Sequence, residues 1–440
     1  MFARVRNRSA RCRSTLPRAA AVAAALAMLA ALNGCGGGLR HSVGAEASAD
    51  VEPADPSSCP ASALAALGHV AVRVYREGID SERTVSALRM IKASAPLRRA
   101  VEAGDASAAR RAAQALLATG HMTNLRVVRG GNVLVDLGGA AVAPLSGTLS
   151  GATGKPIARF VTSVWADGGL VAETDGIAEG LTVIRTEPAL GTGRALAGAA
   201  FELPSGKLPA QGTLTRGGAA YAYTSYPARA YPNGEALRVY LLRSVGSLSS
   251  LCGASPQDTT VNTLTRIARL IYEGEAGRRT EPQVRRVQRN QALLRAVARR
   301  DPVATRAAVA ALLHEHIVRL RISAGGRLLS DLGGPFVLAP VQAPLRLGGR
   351  DVGSLLLSIQ DDEGYKRLAQ RLVGLDVLMY MGSQLVKSTL GSTPALAPAA
   401  VPPSGPFSYR GKRYRTYTFN GSAFPSGPLR ITVLIPIPYS

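Results

Sequence analysis

Apolar residues recur at helical spacing from Ala61, with Leu64, Leu67, Val70, Val74 and Tyr75 on one face and Gly78 closing the run. A second helix is predicted over 83–101. A third opens at Asp105, whose carboxylate suits an N-cap, and runs to the breaker Gly120. At Leu125 the period changes. Residues 126–128 and 133–135 read as the arms of a β-hairpin, because Gly130, Gly131 and Asn132 tolerate the positive φ of a tight turn. Strands are predicted at 157–164, 181–185, 221–226 and 236–242, with a short helix between Gly169 and Gly180.

The pattern then starts again. GNVLVDLGG at 131–139 returns as GRLLSDLGG at 326–334, a shift of 195 residues between Asp136 and Asp331. Tyr272 stands for Tyr75, Asp301-Pro302 opens the counterpart of the third helix, and Ala339-Pro340 repeats Ala143-Pro144. Ser358, Asp362 and Gly364 answer Ser163, Asp167 and Gly169. Phe424-Pro425-Ser426-Gly427 answers Tyr231-Pro232-Asn233-Gly234, and a last strand is predicted at 431–437. The duplication covers 61–251 and 255–440. Two copies are too few for a solenoid, and each is long enough for a core, so two homologous domains are expected.

Hydrophobic residues make up 46% of the 440-residue chain and charged residues 18%, a globular composition; the formal net charge is +23. Six arginines (Arg4, Arg6, Arg8, Arg11, Arg13, Arg18) precede an apolar run at 19–32, too short to span a bilayer. Leu32-Asn33-Gly34-Cys35 then resembles a bacterial lipobox, which implies cleavage after residue 34 and lipidation of Cys35 at the outer face of a cell membrane. Residues 35–60 read as a flexible tether of Gly, Ser, Ala, Pro and acidic residues. Without the six leader arginines the charge would be +17. That balance suits nearness to anionic head groups or cell-wall polymers, or is simply the solvated faces of Arg-rich helices. Cys12 leaves with the leader. Cys59 and Cys252 remain, either as a disulfide in an oxidising compartment or as a free pair.

The fuller second copy carries G-x-x-x-G-x-x-x-x-S-x-x-D-D-x-G-Y at 349–365, after the Gly326–Asp331 hairpin and before Gly374-Leu375. This order resembles the extracytoplasmic PAS-like sensor domains called Cache or PDC domains, in tandem. The resemblance implies an α+β fold of two PAS-like domains, each a five- or six-stranded antiparallel sheet with N-terminal helices. It implies a small-molecule site between one sheet face and the overlying loops and helices. Family members usually continue into a transmembrane helix and a cytoplasmic signalling module. The chain stops at Ser440, so relay through a separate membrane partner is expected. The residue set with which amino-acid-binding members hold an amine and a carboxylate is not found.

Asp361, Asp362 and Tyr365 are the foremost candidates for ligand binding: carboxylates beside a Gly-bearing loop can receive an amine or cation, and Tyr365 can supply an aromatic wall. The alternative is a turn in which Asp caps the helix that follows. In the first copy Asp167 is the matching carboxylate, Leu170 replaces Tyr365, and Trp165, the only Trp, lies close by. Asp136 and Asp331 are expected to bond loop amides. His314-Glu315-His316 has metal-ligand character, but it falls at a helix end and offers no third ligand, so no metal and no cofactor is expected. There is no G-x-S-x-G, S-x-x-K, H-E-x-x-H or phosphate loop, and no enzyme activity is expected. The densest basic segment holds Arg278, Arg279, Arg285, Arg286, Arg289, Arg295, Arg299 and Arg300 with few aromatics, which disfavours single-stranded nucleic acid. Two functions fit: a lipid-anchored small-molecule sensor, or an envelope scaffold binding an acidic partner or polymer.

Overall fold

The structure is a computed structural model that describes residues 51–52, 55, 57–187, 195–198, 201–277, 280–313, 316–334, 337–390, 396–424 and 427–439. The leader, Cys35, most of the tether, Arg278, Arg279, His314, Glu315, Pro425 and Ser426 lie outside the described residues.

In the first half β1 (Val51–Glu52) precedes four helices: α1 (Cys59–Asp80), α2 (Glu82–Ala93), α3 (Ala95–Ala103) and α4 (Ala106–Leu117). Then come β2 (Asn124–Arg129), β3 (Asn132–Leu137), β4 (Ala141–Val142), β5 (Leu145–Ser150), β6 (Pro156–Ser163), β7 (Trp165–Ala166) and α5 (Asp167–Ala178). β8 (Leu181–Thr186), β9 (Ala195–Gly198), β10 (Gln211–Arg216), β11 (Ala219–Arg229), β12 (Ala236–Ser244) and α6 (Val245–Ser249) close it. The second half repeats the order with α7 (Pro256–Ala276), α8 (Glu281–Arg289), α9 (Gln291–Ala298), α10 (Pro302–Leu312), β13 (Arg319–Ala324), β14 (Arg327–Gly333), β15 (Val337–Leu338), β16 (Val341–Leu347), β17 (Arg350–Ser358) and β18 (Gln360–Asp361). α11 (Asp362–Leu368) runs on as a π-turn over Ala369–Val373, followed by β19 (Asp376–Met381), β20 (Gln384–Ser388), β21 (Ser404–Tyr409), β22 (Lys412–Phe424) and β23 (Gly427–Pro436).

The fold is α+β with antiparallel strand pairing, as the sequence predicts. Each half has a large sheet, β1-β10-β11-β12-β8-β9 in the first and β18-β15-β22-β23-β19-β20 in the second, with β21 beside β22. Each also has a four-stranded sheet, β3-β2-β6-β5 and β14-β13-β17-β16, which the sequence reading did not separate from the large one.

Caps set the helix boundaries. Asp105 accepts from the Ala108 amide and Asp301 from those of Val303 and Ala304, as expected at N-caps. The helix predicted over 83–101 is two helices. Ser94 caps α3 by accepting from the Leu97 amide, and Pro96 sits in the first turn, so the chain bends there. Asn290 does the same for α9. Both hairpins turn through two glycines with positive φ, Gly130-Gly131 and Gly325-Gly326, the pattern of a type I′ turn.

Strand alternation gives each large sheet two apolar faces. Ile184, Ala222, Leu237, Val239 and Leu241 face inward, where they join Leu64, Leu67, Val70 and Val74 of α1. Leu264, Ile267, Ala268 and Ile271 of α7, with Val377, Met379, Ile431 and Val433, belong to the same buried cluster. The duplicated halves thus share a core, and α1 and α7 are in contact across it. Each four-stranded sheet has its own core beneath its three short helices. Cys59, the first residue of α1, is disulfide-bonded to Cys252 just before α7, with Cα atoms 5.6 Å apart.

The duplication extends to backbone detail. Tyr75 accepts the Arg229 amide at 3.0 Å, and Tyr272 accepts the Ser422 amide at 2.6 Å. Ala143 and Ala339, each before a proline, both take left-handed φ, 54° and 48°. An alanine there is strained, and the same tertiary contacts hold it in both copies: the Ala143 amide donates to Arg229 and the Ala339 amide to Ser422.

Candidate functional site

The five side chains expected to hold a ligand do structural work. Asp361 ends β18 and caps α11, its Oδ1 accepting the Gly364 amide at 2.6 Å. The cap, one of the two readings open in the sequence, is the observed one. Asp362 is buried and meets Lys387 of β20 at 3.3 Å. Exposed Glu363 takes both Lys366 and Lys387 at 2.7 Å, and these ammonium groups, Lys366 foremost, hold its carboxyl down at about 2. Lys387 is pushed up in return, mainly by Glu363.

Tyr365 packs in the shared core. It is fully buried, stands edge-on to Tyr272, and donates to the carbonyl of Ala268 on α7 at 3.0 Å. Burial, with Tyr272 beside it, pushes its hydroxyl well above the ordinary range. Trp165 does the corresponding work in the first half, its Nε1 donating to the carbonyl of Val74 on α1 at 3.2 Å. It packs against both the shared core and the four-stranded-sheet core, beneath the guanidinium of Arg83, 6.0 Å from the ring centre. A Cβ on Gly78 would come within 2.4 Å of the indole, which explains a glycine inside α1. Asp167 opens α5 and accepts the Gly168 amide at 2.6 Å.

Among the described residues Asp331 bonds no loop amide, contrary to expectation. It is held by two guanidinium groups on the neighbouring strand, Arg319 at 2.9 Å and Arg321 at 2.8 Å, which both lie over the ring of Phe424, 4.4 and 4.3 Å from its centre. Burial works to raise its pKa, but Arg319 and Arg321 outweigh burial and the carboxyl is held below its ordinary value. Asp136 is half exposed and only 3.8 Å from Arg126. His316 lies beyond α10 in a left-handed conformation, φ 62°. Among the described residues no group of three or more His, Cys, Asp or Glu could hold a metal, and no helix is long and apolar enough to cross a membrane.

Four open surface cavities, of about 260, 330, 420 and 540 Å³, are lined by other residues. The feature that the sequence reading missed is the outer face of each large sheet. In the first half Val183, Leu214, Tyr223, Tyr240 and Leu242 point away from α1 and are covered by Phe201, Leu203 and Leu208. Arg185 fastens this cover, donating to the carbonyls of Pro204 and Gly206 at 2.9 Å each. The ring of Tyr223 lies across Gly212, where a Cβ would come within 2.8 Å of the phenol oxygen. Tyr223 is wholly buried, and its hydroxyl has no hydrogen-bond partner among the described residues. Burial, then Tyr240, pushes it up to about 12. A phenol that stays protonated is a hydrogen-bond donor, here buried over Gly212.

In the second half Leu378, Tyr380, Tyr414 and Leu434 form the matching face, against Val401, Leu396 and Phe407. The buried Tyr380 hydroxyl also has no hydrogen-bond partner among the described residues, and Arg430 lies 4.8 Å from its ring centre. A signal for these faces was present. The strands at 181–185, 221–226 and 236–242 carry apolar and aromatic residues at both parities, the mark of a sheet covered on both sides.

No family model and no curated protein matches the chain. Among solved structures, the chain is similar to an extracellular ligand binding receptor from Desulfohalobium retbaense, with 11% identity over 52% of this chain and 46% of that one and a TM-score of 0.26. The match therefore spans less than half of that receptor, at a level that carries no argument about fold or function.

Proposed function

We propose that the protein is a non-enzymatic, lipid-anchored binding protein on the extracytoplasmic side of a membrane. Its small-molecule seat would be the covered outer face of the first-half sheet, and its state would pass to a separate membrane partner. The observation that carries this reading is the Tyr223 hydroxyl. A buried donor without an acceptor costs about 1–3 kcal/mol, and a ligand oxygen at that point would recover it. The cover over 201–208 is held at two points, by Arg185 donating to the carbonyls of Pro204 and Gly206 and by Arg216 donating to that of Glu202. The Cys59–Cys252 disulfide suits an oxidising compartment.

The test is a thermal-shift screen of the purified protein against organic acids, amino acids, sugars and polyamines, followed by titration of each hit. A hit that engages the seat should bind about tenfold more weakly to Tyr223→Phe, the loss of one hydrogen bond. Equal binding would remove the seat from Tyr223, and a screen without hits would remove the small-molecule reading. The anchor is tested by labelling cells with a fatty-acid analogue. Label should disappear in Cys35→Ala, and its persistence would sink the anchor.

A second reading, a scaffold for an acidic partner or polymer, is favoured by one observation. Arg285, Arg286 and Arg289 line one surface cavity of about 420 Å³.

A further inference from the structure

That cavity lies between α8 and the end of α10, lined by Pro282, Arg285, Arg286, Arg289, Asn290 and Leu312. The duplication supplies a built-in comparison. Ser94 and Asn290 cap corresponding helices, and Ile91 and Val287 are the corresponding buried residues three before them. In that register Arg286 and Arg289 stand where the first half has Met90 and Ala93. The second copy therefore places two more guanidinium groups on the face that lines the cleft, while Gln288 stands where the first half has Lys92.

Those charges are not needed to hold the core. Val287, Leu293, Leu294 and Val297 do that from the opposite face. Arg286 is set in place by donating to the Leu312 carbonyl at 2.7 Å, which also caps α10. Arg285 pairs with Glu281 one turn earlier, and exposed Arg289 makes no hydrogen bond or ion pair among the described residues. Exposed Arg295 in α9, with Arg299 and Arg300 just past its end, carries the positive charge onward. The only acidic residues from 281 to 301 are Glu281, paired with Arg285, and Asp301, engaged as the N-cap of α10.

We infer that this cleft binds a phosphate group presented by a water-soluble anionic polymer of the cell envelope. The inference rests on the scaffold reading and names its site. Guanidinium forks match the paired oxygens of a phosphate, and a concave slot lined by three of them suits one phosphate, with its neighbours along Arg295, Arg299 and Arg300. A bilayer surface fits less well. A membrane-seated helix offers large apolar side chains beside its cations, whereas the exposed large apolar residues, Ile79, Val85, Val133, Val303 and Leu328, do not line the cleft.

The test titrates the purified protein by calorimetry with pyrophosphate and with a synthetic glycerol-phosphate oligomer. A parallel arm uses vesicles containing phosphatidylglycerol. Arg285→Ala with Arg289→Ala should weaken oligomer binding at least tenfold while leaving the melting temperature nearly unchanged, because both side chains are exposed. Arg286 is kept, since it caps α10. Arg110→Ala with Arg111→Ala removes the same charge from exposed positions of the first half and should leave binding intact. Equal losses in the two pairs would overturn the site and leave only net-charge attraction. Binding to vesicles but not to the oligomer would overturn the polymer in favour of a lipid surface. Absence of any anion binding would overturn the scaffold reading as well.

Discussion

The two halves fasten their long helices by different chemistry to the same end. In the first, Trp165 reaches from β7 to the Val74 carbonyl of α1; in the second, Tyr365 reaches from α11 to the Ala268 carbonyl of α7. The hairpins differ in the same way. Asn124 donates to the Gly139 carbonyl, and its counterpart Arg319 donates to the matching carbonyl of Gly334 while also holding Asp331. Duplication has kept the geometric requirement and let the side chain drift. What a position must do is set by the shared backbone. Which residue does it is free, so long as one polar atom reaches the right acceptor and the remaining bulk fills the gap. The second half has in this way gained a charge pair, Arg319 with Asp331, where the first has Asn124.

The largest effect on this comparison should come from the disulfide, the covalent tie between the start of α1 and the entrance to α7. It closes a separation of 193 residues, for which chain entropy assigns a contribution of about 5 kcal/mol. Cys59→Ser with Cys252→Ser should lower stability by an amount approaching that value in urea unfolding. A change under about 1 kcal/mol would mean that the shared core holds the halves together by itself.

Next in size is the helix anchor. Tyr365→Ala should cost about 4 kcal/mol by leaving a cavity in the shared core, whereas Tyr365→Phe should cost only about 1 kcal/mol for the bond to Ala268. If both variants behaved like wild type in thermal melts, Tyr365 would return as a functional residue.

The paired aspartates should differ. Asp331→Asn removes a charge gripped by two arginines and should cost about 2 kcal/mol. Asp136→Asn, at a half-exposed carboxylate 3.8 Å from Arg126, should cost under about 0.5 kcal/mol. Equal costs would show that the second hairpin is no better fastened than the first.

The smallest effect is in pH. The folded-state pKa of Asp331 lies below its ordinary value, so its contribution is fully present above the ordinary carboxylate range and is lost as pH falls through the folded value. The acid limb of stability against pH should be shallower in Asp331→Asn than in wild type. A parallel shift of the whole curve, with its slope unchanged, would break the assignment.

Much of the fold could be read from the chain because its signals are local. Asp105 and Asp301 mark helix starts, paired glycines mark both hairpins, and the repeated Asp-Leu-Gly-Gly sets the register of the two halves. The break at Ser94 was legible too, as a capping serine with Pro96 two residues on, and went unread. The candidate site fared worse. Asp361 looks the same in sequence whether it caps a helix or receives an amine, and Tyr365 could sit on a pocket wall or in a core.

The sequence by itself determined the duplication, the α+β class, the caps and turns, and the inward stripes of α1 and α7, since each depends on neighbours a few residues away. Only the tertiary structure decided that the two halves share one core and that Tyr365 and Trp165 point into it. It also decided that Asp331 answers to Arg319 and Arg321, and that the buried Tyr223 hydroxyl finds no acceptor among the described residues. Those outcomes depend on which distant surfaces meet. A side chain's partner is chosen by packing across the fold, and the residue types that can make a site are the same ones that can close a core.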